Sequence, residues 1–190
     1  MESFGSRAST FPNLANNMNL IRTANLSDAD VIARVHIDSW QTTYRGLMPD
    51  KVLDNLSFER RREWWQGILR DQSERVLVAE ENDQIVGFAY FGEEREHDPI
   101  YHGELYAIYL LAGCQKKGIG HLLFKASAKG LIKLGMSDML LWVLSTNPAR
   151  KFYEKMGGKY LRDKSVEIGD ETLQESAYGW DDIHLLVESK

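Results

Sequence analysis

The sequence predicts a mixed α/β (α+β) fold with its elements in the order β-αα-βββ-α-β-α-ββ. Three observations carry that expectation. Apolar residues recur at helical spacing through positions 27–70, and the pattern switches to period two near Arg75. A nearly continuous apolar run at 104–111 then leads through a glycine-bearing segment back into helical spacing.

The stretch 19–24 (NLIRTA) is a short strand candidate. Ser27 is placed to cap a helix, with Asp28 and Asp30 in the first turn, where the helix dipole favours acids. Val31, Ile32, Val35, Ile37 and Trp40 continue that helix toward Gly46, and Pro49 opens a second helical stretch. Ser57 and the run 60–69, with Trp64 and Trp65, make another. Segments 75–80 (RVLVAE) and 84–91 (QIVGFAYF) form a hairpin about the turn dipeptide Asn82-Asp83. A charged loop over 93–99 precedes the strand at 104–111. Ile119, Leu122, Leu123, Ala126, Gly130 and Leu134 then recur at helical spacing, and Gly135 is the stop. A strand at 139–144, a short helix at 148–156 closed by Gly157-Gly158, and strands at 159–168 and 174–186 about Gly169-Asp170 complete the order.

A chain of 190 residues with 43% hydrophobic and 27% charged residues has ordinary globular composition, so neither a disordered nor a collagen-like chain fits. Residues 19–190 read as one domain and residues 1–18 as a flexible tail, with no secretory h-region in the tail. Acids outnumber bases by 28 to 23, a net charge of −5, which argues against a nucleic-acid or anionic-membrane partner. The lone cysteine, Cys114, allows neither an internal disulfide nor a cysteine-rich zinc site, and it fits a reducing, cytoplasmic setting.

The segment 105–124 carries the chemistry. An apolar strand runs into Gln115-Lys116-Lys117-Gly118-Ile119-Gly120 and then into an amphipathic helix. Gly118 and Gly120 let the backbone turn tightly and approach a ligand, and unpaired amides at the helix start favour an anion. Lys116 and Lys117 add positive charge to an acidic chain. These features describe a phosphate or pyrophosphate cradle. A P-loop is excluded by the missing Gly-Lys-Ser/Thr, and a Rossmann fingerprint is disfavoured by Leu123 in place of the third glycine.

Gln115, Gly118 and Gly120 match Gln/Arg-X-X-Gly-X-Gly/Ala, and Asn147 with Phe152-Tyr153-Glu154-Lys155-Met156-Gly157 matches a second motif downstream. In these two motifs and in element order the chain resembles the GCN5-related N-acetyltransferase (GNAT) family over about residues 19–187. One departure is Gly158, where the family carries a hydrophobic or aromatic residue. The resemblance implies a mainly antiparallel central sheet flanked by helices, two central strands splayed apart, and acetyl-CoA as co-substrate with no metal. It further implies that the amides of Lys116, Lys117, Gly118, Ile119, Gly120 and His121 hold the pyrophosphate. The backbone of Ile108, Tyr109 and Leu110 would pair with the pantetheine arm, and Asn147 would cap the short helix, which alone accounts for it, or also contact the arm. A backbone amide near Leu110 would stabilise the oxyanion. Dimers are common in the family, so a homodimer is possible; no self-complementary patch is legible.

Acetyl transfer needs a neutral amine. Deprotonating a lysine-like amine of pKa ~10.4 at neutral pH costs roughly 4 kcal/mol, and an α-amine near ~8 only about 1 kcal/mol. Glu104, at the start of the apolar strand, is the candidate general base, working through water, with its pKa raised by partial burial. A strand-end carboxylate in solvent is the competing explanation. Tyr153 corresponds to the family tyrosine that protonates the departing thiolate; packing beside Phe152 is its structural alternative. Cys114 has no histidine placed to activate it, and His121 reads as surface. On the acceptor side, Trp40 and Tyr44 share a helix face, where core packing is the plainer role. The acids Glu93, Glu94, Glu96 and Asp98 could attract a cationic amine, but a solvated loop is the commoner explanation. The expected reaction is direct attack of a small-molecule or protein amine on the thioester. The rival reading is a non-catalytic acyl-CoA-binding regulatory module on the same fold.

Overall fold

The structure, a computed structural model, describes residues 20–188. The tail expected over 1–18 lies outside them. Seven strands form one sheet: β1 (Leu20–Thr23), β2 (Val76–Glu81), β3 (Gln84–Glu93), β4 (Gly103–Leu110), β5 (Met139–Leu144), β6 (Lys159–Ile168) and β7 (Glu171–Trp180). Their order across the sheet is β1-β2-β3-β4-β5-β7-β6, and only β4 and β5 run parallel. The helices are α1 (Ala29–Tyr44), α2 (Asp50–Asp54), α3 (Phe58–Gln72), α4 (Ile119–Lys133), α5 (Arg150–Lys155) and α6 (His184–Glu188).

Local chemistry sets the boundaries. A 3-10 turn at Leu26–Asp28 leads into α1, and its cap is Asn25, not Ser27 as the sequence suggested. Asn25 accepts from the Ser27 amide while Asp28 reaches back to the Asn25 amide at 2.8 Å, a capping box. Arg22 then clamps Asp28 and Glu80 across β1 and β2. Ser57 does cap α3, accepting from the Arg60 amide at 3.3 Å. Asn82 and Asp83 both take positive φ, the geometry of a tight primed hairpin turn. The last strand is shorter than its apolar pattern implied. It ends at Trp180, and Asp182 accepts from the His184 amide to start α6 in place of continued strand.

Two apolar layers sandwich the sheet. On one side α4 packs Ile119, Leu123, Phe124, Ala128 and Leu131 onto Phe91, Leu105, Leu141 and Tyr178. On the other, α1 and α3 pack Ile32, Ala33, Val35 and Trp65 onto Val76, Val78 and Phe88. A smaller cluster of Met48, Leu53 and Leu144 joins α2 to the end of β5.

Candidate active site

The site begins where the central sheet fails to close. β4 and β5 are paired at one position, Glu104 opposite Leu140. Beyond it β4 keeps only its β3 partner, through Leu110 opposite Gly87, with a bulge at Tyr106. The Leu111 amide donates to Val86 O at 2.9 Å, on the β3 side. Alternation along the strand therefore turns the backbone groups of Leu110 and Ile108 into the split. Tyr109 is different: its backbone groups belong to the β3 ladder, so its contribution to the split is its side chain. The Leu110 carbonyl already accepts from Gln115 Nε2 at 3.3 Å, while among the described residues its N–H has no partner.

The chain leaves the split through a short 3-10 turn and enters α4 at Gly118. Lys116 and Gly118 both sit at positive φ, +61° and +86°. A side chain at 118 would meet no atom within 4 Å, so open space lies over the turn. At 120 a Cβ would lie 3.4 Å from Leu110 and 3.9 Å from Phe152, which fixes the helix start against β4 and α5. The first intrahelical bond at this end is Leu122 N–H to Gly118 O. The amides of Ile119, Gly120 and His121 are consequently unspent and point out of the helix end.

The lysines contribute less than their sequence position suggested. Lys117 Nζ is held by Glu81 at 3.1 and 3.2 Å, which lowers the Glu81 pKa. Cys114 points at the same carboxylate (3.4 Å), and burial together with Glu81 pushes its thiol pKa up, away from a reactive thiolate. His121 is exposed.

Tyr153, on α5, is buried, and among the described residues its hydroxyl has no hydrogen-bond partner. Burial, with Tyr109 nearby, pushes its pKa up, so the phenol keeps its proton. Asn147 is also buried; its Oδ1 accepts from the Ala149 amide at 2.9 Å and shapes the turn into α5. Glu104 is almost fully buried, but it is not free. Arg95 holds it with its backbone amide (3.2 Å), with Nε (3.0 Å) and with Nη2. The solvated strand end weighed from the sequence is thereby set aside.

The face covered by α1 and α3 is aromatic. The hydroxyls of Tyr44 and Tyr109 meet at 3.0 Å, and Trp40 packs edge-on against Tyr44 with ring centroids 5.4 Å apart. His36 stacks on Tyr109 and accepts from Trp65 Nε1 at 3.2 Å. Burial and the Arg61 charge lower the His36 pKa to about 3, so it is neutral. Arg61 lies 5.3 Å over Trp40 and 5.6 Å over Trp64, without an ion pair among the described residues. Of these residues the sequence pointed to Trp40 and Tyr44 by their shared helix face and to Tyr109 by its backbone, while nothing local ties positions 36 and 61 to them. The acidic loop proves structural. Glu94 accepts from the amides of Glu96 (3.0 Å) and Asp98 (2.7 Å), while Glu96 and Asp98 pair with Lys164 and Arg162. A surface depression between this loop and residues 160–162 is lined by no residue of β4, β5 or α4 and is separate from the split. Among the described residues no cluster could hold a metal, and no helix is long and apolar enough to cross a membrane.

A split sheet ending beside a helix N-terminus with free amides sets an open strand edge in line with an anion-binding helix end. The model of the acetyltransferase (GNAT) family matches residues 36–158, and the chain belongs to that family. It is 36% identical over 166 residues to an uncharacterized N-acetyltransferase, YuaI, of Bacillus subtilis, covering 87% of this chain and 95% of that one. In fold it is similar to the PaiA N-acetyltransferase of Thermoplasma acidophilum, solved with coenzyme A. That pair has a TM-score of 0.66 and 24% identity, with 83% of this chain and 98% of that one covered. It is also similar to YncA, a putative acetyltransferase of Salmonella typhimurium solved with acetyl-CoA: TM-score 0.65, 22% identity, 85% and 92% covered.

Proposed function

We propose that the protein is an acetyl-CoA-dependent N-acetyltransferase that moves an acetyl group to a primary amine by direct attack. The amine belongs to a small molecule, a protein N-terminus or a lysine, and the reducing setting suggested by the single cysteine is the cytoplasm. The observation that carries the reading is the continuity of unspent main-chain groups: the open edge of β4 runs directly into the free amides of Ile119, Gly120 and His121. An edge of strand and an anion cradle in line suit a molecule with an amide-bearing arm and a diphosphate. The open space over Gly118 leaves room for it. The coenzyme A and acetyl-CoA named for the two fold neighbours agree with that fit.

When bound, acetyl-CoA supplies an activated thioester carbonyl. The amides from Lys116 to His121 would grip the diphosphate, while Ile108 and Leu110 pair with the arm. The Leu110 N–H, aimed into the split, would donate to the carbonyl oxygen as charge builds there. Asn147, whose Nδ2 donates to no protein group among the described residues, would meet the arm on its other side. Tyr153 would give its proton to the departing sulfur. Burial keeps the phenol protonated at neutral pH, and its hydroxyl bonds to no protein group among the described residues that would compete for it. Glu104, the base expected from the sequence, would have one carboxylate lone pair left for a bridging water beside its three bonds from Arg95. A non-catalytic acyl-CoA-binding module would need the turn and the edge but would have no use for the Tyr153 hydroxyl.

Calorimetric titration with acetyl-CoA tests the reading, followed by release of free thiol in the presence of a panel of amines. Binding with turnover is the expected result. Absence of binding would remove the proposal, and binding without turnover of any amine would favour the regulatory module.

A further inference from the structure

β7, which pairs with β5 on the edge away from the split, carries a carboxylate that the sequence reading passes over. Glu175 lies opposite Leu144 of β5 and opposite Lys164 of β6. Tyr178 and Trp180 point to the α4 layer, so alternation puts Glu175 and Ala177 on the opposite face. Leu144 belongs there to a cluster with Met48 and Leu53 against which Trp40 and Tyr44 pack, and the Glu175 charge is felt by the Tyr44 and Tyr109 phenols. The carboxylate is half-buried, and among the described residues it makes no hydrogen bond or ion pair. Its cross-strand neighbour does not neutralise it: Lys164 is spent on Glu96 and lies 3.8 Å over the Trp142 ring. Glu104 shows the contrast, since Arg95 fills three of its acceptor positions.

We infer that Glu175, rather than Glu104, takes the proton from the acceptor amine, an inference that rests on the N-acetyltransferase reading. A base must have lone pairs to spare: among the described residues Glu175 spends none of its own, whereas Arg95 takes three of the four on Glu104. The surrounding charges support the assignment. Burial raises the Glu175 pKa above the ordinary carboxylate range. Lys164 on β6 and Arg95 from the β3–β4 loop oppose the rise, whereas Glu96 from that loop and Glu104 on β4 add to it. The phenols of Tyr44 on α1 and Tyr109 on β4 both feel the Glu175 charge, and Tyr44 also feels Tyr153 on α5. A raised carboxyl is the better proton acceptor near neutrality.

The step balances with the groups present. An N–H bond of the substrate ammonium breaks as Glu175 Oε gains the proton. The freed lone pair forms the N–C bond to the thioester carbon, and the C–S bond breaks. The sulfur takes the proton of Tyr153, the product nitrogen's surplus proton returns to Tyr153, and Glu175 releases its own to solvent.

The test uses the full chain and four primary amines of different class: L-methionine, spermidine, 2-phenylethylamine and an alanine-initiated peptide. With the best of them at saturation, wild-type kcat is expected to show an acid limb below neutrality. Glu175→Gln should lower kcat by about a hundredfold or more and erase that limb, with acetyl-CoA affinity held within about twofold. Glu104→Gln should retain the limb. A limb kept in Glu175→Gln and lost in Glu104→Gln overturns the inference while leaving the acetyltransferase reading intact. Failure of the wild type to bind acetyl-CoA overturns both. If none of the four amines turns over, carboxyl ¹³C NMR of glutamate-labelled protein decides. The resonance missing from Glu175→Gln must titrate above the ordinary glutamate value of ~4.3, and a midpoint at or below it refutes the assignment.

Discussion

The turn after β4 and the aromatic cluster beneath α1 and α3 lie on two sides of one split in the sheet, yet they are built from different material. The turn offers main-chain N–H groups, positive-φ backbone and open space; its lysine nearest Glu81 is already neutralised. The cluster offers side chains: Tyr44, Tyr109, Trp40, His36 and Arg61, drawn from two helices and a strand. Backbone recognition suits a ligand of fixed structure. Side-chain recognition lets one scaffold change its second substrate without disturbing the first. The comparison implies that damage on the turn side falls on coenzyme binding and damage on the cluster side on chemistry and stability.

The hardest way to break that division is Gly120→Glu. The added Cβ fits, at 3.4 Å from Leu110, so the fold is expected to survive with an unchanged melting temperature. The carboxylate would face the diphosphate. Two like charges about 4 Å apart at an effective dielectric of 20 repel by about 4 kcal/mol, or roughly a thousandfold in acetyl-CoA affinity. A change of less than about tenfold by calorimetry would show that the ligand's anion lies elsewhere. Tyr153→Phe should act on the other quantity. Loss of a general acid typically costs at least about a hundredfold in rate, here with acetyl-CoA affinity unaltered, since the hydroxyl bonds to nothing in the described protein. Equal losses in kcat and affinity would make Tyr153 a packing residue.

The cluster side should also be the acid-sensitive side. Trp65 donates to His36 Nδ1, so protonating His36 breaks that bond and buries a charge. The folded pKa, lowered to about 3, lies below the unfolded value of ~6.5. The unfolded chain therefore binds the proton first. Stability is complete above about pH 6.5 and declines as pH falls toward 3, with a slope approaching 1.4 kcal/mol per pH unit. Urea melts of the wild type and His36→Asn across that range should differ by this slope; parallel curves would refute the assignment.

How much of this was legible in the sequence follows the same division. The turn is one continuous stretch, so Gln115, Gly118 and Gly120 could be read together, as could Asn147 and Tyr153. Strand alternation was legible too, which is why the hairpin at Asn82-Asp83 and β5 fall where the pattern put them. The cluster is assembled by tertiary packing from positions as distant as 36 and 175, and no local period links them. Glu104 illustrates the limit from the other direction. Its place at the head of β4 was readable, whereas its capture by Arg95, nine residues earlier and across a loop, was not.

The smallest effect should come from the side chains of the turn. Lys117 and Glu81 form a pair that is close to neutral seen from the cradle, with Nζ 3.1 Å from the carboxylate. Removing only the lysine uncovers an acid near the diphosphate and should weaken acetyl-CoA binding by about threefold, in the range of an exposed ion pair. Removing both, as Lys117→Met with Glu81→Gln, takes away attraction and repulsion together. The double variant should bind acetyl-CoA within about twofold of the wild type, since the backbone amides it leaves in place carry the contact. A loss of tenfold or more in the double variant would mean that side-chain charge grips the ligand, and the distinction between a main-chain half and a side-chain half would fail on the side where it is most sharply drawn.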